Sequence, residues 1–122
     1  MKFLLDSVIC IDHFNGIDAA TDFIRGEKES SLISVITRAE VLTGFGDDIP
    51  RDVFALLDAL PHLPIERETA DHAALLRQRY HWKLPDAFQA ALALQYDCKL
   101  VTRNTKDFDP ERHGFVIVPY RT

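Results

Sequence analysis

At 122 residues, 47% of them apolar, the chain is long enough for one domain with a single core and too short for two. Its net charge of −5 argues against passive coating of nucleic acid, which needs many Lys and Arg contacts to phosphate. No apolar run is long enough to span a membrane, and the opening Met1-Lys2-Phe3-Leu4-Leu5-Asp6 meets an acid too soon for a signal peptide. Two distant cysteines, Cys10 and Cys98, lack metal-ligand spacing and fit a reducing, cytoplasmic setting. The charge is uneven: residues 1–61 carry 5 basic and 11 acidic side chains, a net of −6, whereas residues 62–122 carry 9 and 8, a net of +1.

Phe3-Leu4-Leu5 is a short apolar run that reads as a strand buried on both faces. Asp6-Ser7 turns the chain into a helix from Val8 to about Phe14, stopped by Asn15-Gly16. A second helix follows over about Asp18–Arg25, then the polar turn Gly26–Ser30. Ser31–Ile36 is the second strand, and Thr37-Arg38-Ala39-Glu40 matches the S/T-x-x-E capping box opening a helix to about Thr43. Val53, Leu56, Leu57 and Leu60 mark an amphipathic helix. His62–Ile65 is a weak third strand, placed at an edge by Pro64. Glu68 to about Tyr80 is helical, with Thr69, Ala73, Leu76 and Tyr80 as its inward stripe.

Leu84-Pro85-Asp86 opens the next helix, because proline suits a first turn and an acid faces the positive end of the helix dipole. Ala87, Ala90, Ala91 and Leu94 then form a small-residue stripe able to lie close against a sheet. Lys99–Thr102 is the fourth strand, Arg103–Phe108 a polar turn, and Phe115–Val118 the fifth strand. No linker or repeat interrupts the chain, so residues 1–122 form one unit. Alternating strands and helices imply a parallel sheet with helices on both faces.

In such a sheet, strand C-termini and helix N-termini share the edge where open α/β folds bind ligands. Asp6, Glu40, Asp86 and Asp107 all map to that edge. Each has a bland explanation as a cap, turn or dipole residue. Taken together that explanation weakens, because converging carboxylates repel and raise one another's pKa. An oxygen-only set suits Mg²⁺ or Mn²⁺, which would activate water and neutralise charge during phosphodiester hydrolysis. Arg103 and Lys106 flank the set as candidate phosphate contacts, ahead of Arg38 and Lys83. The five histidines form no zinc pattern, and the P-loop and nucleophile-elbow signals are lacking.

Four blocks resemble the PIN-domain ribonucleases, specifically the VapC toxins of bacterial and archaeal toxin–antitoxin pairs. They are Phe3–Ser7 with Ile9–Asp12, Ile33–Glu40, Leu84–Ala87 with Ala90-Ala91, and Leu100–Phe108. The resemblance implies a three-layer α/β/α fold with a five-stranded parallel sheet, and endonucleolytic RNA cleavage dependent on Mg²⁺ or Mn²⁺. It also implies a homodimer and a VapB-like antitoxin whose C-terminal segment covers the catalytic groove. By motif match the acidic quartet falls on Asp6, Glu40, Asp86 and Asp107. Asn104 stands where some members carry another acid, leaving the fourth ligand open between that position and Asp107. The family's opening Asp-[Thr/Ser]-Asn departs here at Val8, which points to reduced activity or an altered turn. Competing readings are an RNA-processing PIN nuclease without an antitoxin and a degenerate PIN domain that binds RNA or protein without cutting. A phosphorelay receiver is disfavoured because only Asp6 follows the first strand and Tyr120-Arg121, not a lysine, follows the last.

Overall fold

A computed structural model describes residues 1–122. The elements are β1 (Lys2–Leu5), α1 (Ser7–Phe14), α2 (Asp18–Gly26), a 3₁₀ turn (Lys28–Ser30), β2 (Ser31–Ser34), α3 (Val35–Thr43) and α4 (Arg51–Ala59). Then follow β3 (His62–Leu63), α5 (Arg67–Tyr80), α6 (Leu84–Gln95), β4 (Cys98–Val101) and β5 (Val116–Ile117). The sheet is five-stranded in the order β3-β2-β1-β4-β5, and every pairing is parallel. β3 lies at an edge as expected, but is only His62–Leu63, with Pro64 just beyond it.

Strand alternation divides the core into two layers of side chains. Leu4, Leu32 and Leu100 point to one face, with Ala87, Ala90, Ala91 and Leu92 of α6 and with Trp82 and Phe108. Leu5, Ile33 and Val101 point to the other, with Ile9, Ile24, Val41, Val53 and Leu57 of the first four helices. A sheet apolar on both faces must be covered on both, which produces the three α/β/α layers. Each fully buried leucine contributes about 1.5–3 kcal/mol relative to exposure.

Five local expectations are corrected. β2 ends at Ser34, not Ile36, and α3 begins at Val35. Ser34 is the N-cap, its hydroxyl accepting the Thr37 N–H at 3.2 Å, so no capping box joins Thr37 to Glu40. Glu40 consequently sits in the second turn of α3 rather than the first. On α6 the buried face comprises Ala87, Gln89, Ala90, Ala91, Leu92 and Ala93, whereas Leu94 is 44% exposed. β5 is shorter than Phe115–Val118. No helix is long and apolar enough to cross a membrane.

Candidate active site

The sheet order changes direction at β1: β2 continues to one side and the chain later returns on the other as β4. Such a switch point opens a crevice beyond the strand C-termini. Asp6 leaves β1 there, its backbone N–H still paired to the Val101 carbonyl at 2.9 Å. Its Oδ1 accepts the Ser7 N–H at 2.9 Å, capping α1, and its Oδ2 accepts the Thr102 hydroxyl at 2.7 Å. Val8, where the family usually has Asn, is partly buried and packs against the core cluster of Leu5 and Ile9 behind this turn. Asp6 is only 6% exposed, and burial pushes its pKa up despite these hydrogen bonds.

Asp86 occupies the first turn of α6. Its pKa is pushed up to about 6, first by withdrawal from water and then by the charges of Asp6, Asp107 and Glu40, with Lys83 opposing. The Glu40 carboxyl is also raised, by partial desolvation and by Asp6, against a hydrogen bond from Ser7. Asp107 follows β4, where its Oδ2 accepts the Asn104 amide N–H at 3.1 Å and its carbonyl accepts the Trp82 indole N–H at 3.0 Å. Asp86 thus feels the charges of the other three predicted acids, and Glu40 that of Asp6. They do not close into a ready-made cage, since no three acid, histidine or cysteine side chains stand in ligating arrangement.

The two ion pairs of the chain, Arg38–Asp58 and Arg103–Asp12, involve none of the four. A set of oxygen donors with mutual repulsion and no paired arginine has the donor chemistry that a hard divalent cation requires. On that ground the residues fit Mg²⁺ or Mn²⁺.

The flanking cations divide. The Arg103 guanidinium is bidentate to Asp12, Nε to Oδ2 at 2.6 Å and Nη2 to Oδ1 at 2.9 Å. The Tyr120 hydroxyl also donates to Asp12 Oδ2 at 2.8 Å. Asp12 is 2% exposed, and the Arg103 hydrogen bonds hold its carboxyl below the usual range. Arg103 therefore anchors its turn to α1 instead of extending free toward substrate. Lys106 is exposed and makes no ion pair.

A buried polar chain under the acids has no counterpart among the sequence expectations. Ser34 Oγ donates to Gln89 Oε1 at 2.7 Å, Gln89 Nε2 donates to Thr37 Oγ1 at 2.7 Å, and Thr37 Oγ1 donates to the Leu5 carbonyl at 3.0 Å. It joins the ends of β1 and β2 to α3 and to α6, one turn beyond Asp86. A lone glutamine inside an apolar helix is its signal in the sequence, since buried amides need partners. An aspartate within the apolar Val8–Phe14 helix is the corresponding signal for Asp12.

The PIN domain family model matches residues 3–110. The chain belongs to the PIN-domain family. Among its relatives is "Ribonuclease VapC10" of Mycobacterium tuberculosis, 32% identical over 112 residues that cover 86% of this chain and 84% of the relative. A solved "Toxin-antitoxin complex from Klebsiella pneumoniae" contains a chain 32% identical to this one, with a TM-score of 0.88, covering 99% of this chain and 100% of that one. VapBC2 from Rickettsia felis, solved bound to a DNA fragment from its promoter, shares the fold at 22% identity. Its TM-score is 0.74, with 96% of each chain covered.

Proposed function

We propose that the chain is an endoribonuclease toxin of a VapBC-type pair, cutting RNA with Mg²⁺ or Mn²⁺ held among Asp6, Glu40, Asp86 and Asp107. The observation that carries this reading is Asp86, raised to about 6 by burial and by the other three acids, in a chain 32% identical to a ribonuclease over most of its length. A bound divalent cation would supply an activated water and neutralise charge on the phosphate.

The protein supplies the positioning. Asp6 is fixed by a backbone N–H and by the Thr102 hydroxyl, and the Asn104 amide steadies Asp107. Lys106 is the unpaired cation of that turn and meets phosphate oxygen, whereas Arg103 holds the turn through Asp12. The likeness to a chain of the Klebsiella toxin–antitoxin complex supports a VapB-like antitoxin as the partner, and the family resemblance adds that it covers the groove and that the toxin acts as a homodimer in the cytoplasm.

Expression of the chain without its antitoxin arrests growth and alters the cellular RNA profile. The purified protein cleaves RNA with Mn²⁺ and not with EDTA. Folded protein that leaves RNA intact at saturating Mn²⁺ overturns the proposal.

A further inference from the structure

Beside the acidic edge lies an open pocket of about 300 Å³, bounded by Arg79, His81, Trp82, Lys106, Asp107 and Arg112. Three of these carry positive charge and one a negative charge, in a chain whose net charge is −5. None of the three cations is in an ion pair, and all are exposed. Asp109 makes no ion pair with Arg112; its Oδ1 accepts the Glu111 N–H at 2.9 Å.

The walls are built rather than loose. One is the end of α5, where Arg79 lies over the Tyr80 ring at 5.4 Å. His81 then ends α5 in the left-handed conformation, φ 62°, uncommon for a residue other than glycine but usual for a helix C-cap. The other wall is the turn at Asp109–His113, closed by Arg112 and His113 N–H groups donating to the Asp109 carbonyl at 3.0 Å. The His113 ring packs on Tyr80 and Trp82 at 5.1 and 5.2 Å, and the Trp82 indole is bonded to the Asp107 carbonyl. Burial, with Arg112 adding to it, holds His113 below its ordinary pKa, so it serves the wall as a neutral ring.

We infer that this pocket is a phosphate-binding subsite for single-stranded RNA, in which Arg79 and Arg112 hold the backbone of nucleotides flanking the bond cut at the carboxylates. The inference rests on the RNA-cutting function proposed above and extends it to residues outside the acidic edge. Continuity favours RNA over an acidic protein segment: Asp107 belongs both to the pocket and to the candidate metal set, so a strand entering the site passes directly from one to the other. Unpaired cations beside an exposed ring, here that of His81, are also the combination that binds single strands without reading sequence.

The test compares the full-length parent with Arg79→Gln/Arg112→Gln, both exposed positions where glutamine keeps a long polar side chain. Binding of a short fluorescein-labelled single-stranded RNA is followed in EDTA, which prevents cleavage, across a salt series. The double variant binds about tenfold more weakly at low salt, and its log-affinity against log-salt slope falls by roughly 0.7 for each phosphate no longer engaged. In Mn²⁺ its KM rises while kcat holds, because neither arginine touches the reacting atoms. Arg25→Gln/Lys28→Gln, at the opposite edge of the sheet, binds like the parent.

Unchanged affinity and slope overturn the subsite, as does an equal loss in the Arg25/Lys28 control. If RNA binding is unchanged while an oligoglutamate peptide loses affinity, the pocket serves an acidic protein segment and the inference is wrong. A parent that neither binds nor cuts RNA removes the proposed function and the subsite together. A parent that cuts RNA alongside an equally efficient double variant removes the subsite alone.

Discussion

The Thr102 hydroxyl donates to Asp6 Oδ2 at 2.7 Å and accepts the Asn104 N–H at 3.0 Å. One side chain therefore ties the carboxylate beyond β1 to the backbone of the turn that carries Asp107. The two strands pair from Lys2 opposite Cys98 to Leu5 opposite Val101, so the link extends the sheet register into the site. Placement of the first and last acids is a consequence of strand pairing, reinforced by a single hydroxyl.

Thr102→Val tests that link with almost no change of shape. It leaves a buried carboxylate oxygen short of a donor, at a cost of about 1–3 kcal/mol. Asp6 already has a raised pKa, and losing this donor raises it further. The folded state then binds its proton more tightly than the unfolded state does. Destabilisation is consequently full at neutral pH and shrinks as pH falls through the folded pKa toward the unfolded value near 3.8. Urea melts at pH 7 and pH 4 measure this, and a pH-independent loss would show that the hydroxyl is only packing.

Arg103→Gln addresses the second anchor, where the paired carboxyl has a lowered pKa instead of a raised one and the loss again disappears at low pH. Asp12 is held below its ordinary pKa of 3.8, so its pairing stabilises the protein above that value and the contribution is lost as pH falls through the folded pKa. The guanidinium is 34% exposed, so the cost at pH 7 is discounted to roughly 1–3 kcal/mol from the value for a fully buried pair. The variant and parent should converge in stability at low pH. Because the turn is loosened, RNA cleavage should also fall, and a stable variant with parental kinetics would remove Arg103 as a positioning residue.

Legible in the sequence is whatever local pattern controls. Phe3–Leu5 is an apolar run and Lys99–Thr102 a strand-like one, and the strands built on them pair in the centre of the sheet. The β2–α3 boundary is masked because Val35 and Ile36 are β-branched and resemble a strand. The Ser34 cap outweighs that preference, since a cap satisfies an orphan N–H whereas β propensity is mostly packing context. Partners remote in sequence leave little trace: Arg103 meets Asp12 across 91 positions and Gln89 meets Ser34 across 55. Arg103 thus reads as a free cation until the fold brings its acid to it.

Glu40→Gln separates ligand from scaffold more cleanly than a capping role would have allowed. Glu40 is exposed, caps nothing and forms no ion pair. Stability without metal at pH 7 should stay within about 0.5 kcal/mol of the parent, with any change a gain, since partial burial and Asp6 hold the folded carboxyl's pKa up and its charge opposes folding. Cleavage at fixed Mn²⁺ should drop by at least the roughly 10–100-fold that loss of even an outer partner costs a metal site. Parental cleavage rates at saturating Mn²⁺ would remove Glu40 from the site and leave the other three acids standing.

Asp86→Asn gives opposite signs for the two roles of an acid at a helix start. Its folded pKa of about 6, against 3.8 unassisted, means that the folded state retains a proton the unfolded state releases. Ionised Asp86 therefore opposes folding above pH 6 when no cation is present, and the penalty fades as pH falls from 6 to 3.8. Replacing it with asparagine should raise metal-free stability at pH 7 by roughly 0.5–2 kcal/mol, the usual yield of relieving a strained functional feature. The gain should be nearly gone at pH 4. The variant should also lose much of the Mn²⁺-induced rise in melting temperature, since a ligand stabilises only through preferential binding to the folded state. An aspartate serving the helix dipole alone predicts the reverse, a loss of roughly 0.3–1 kcal/mol at pH 7 and an undiminished response to Mn²⁺. Melts of both proteins in EDTA and in Mn²⁺ decide between them. A variant that melts below the parent in EDTA and gains as much from Mn²⁺ would show that the four carboxylates do not form one site.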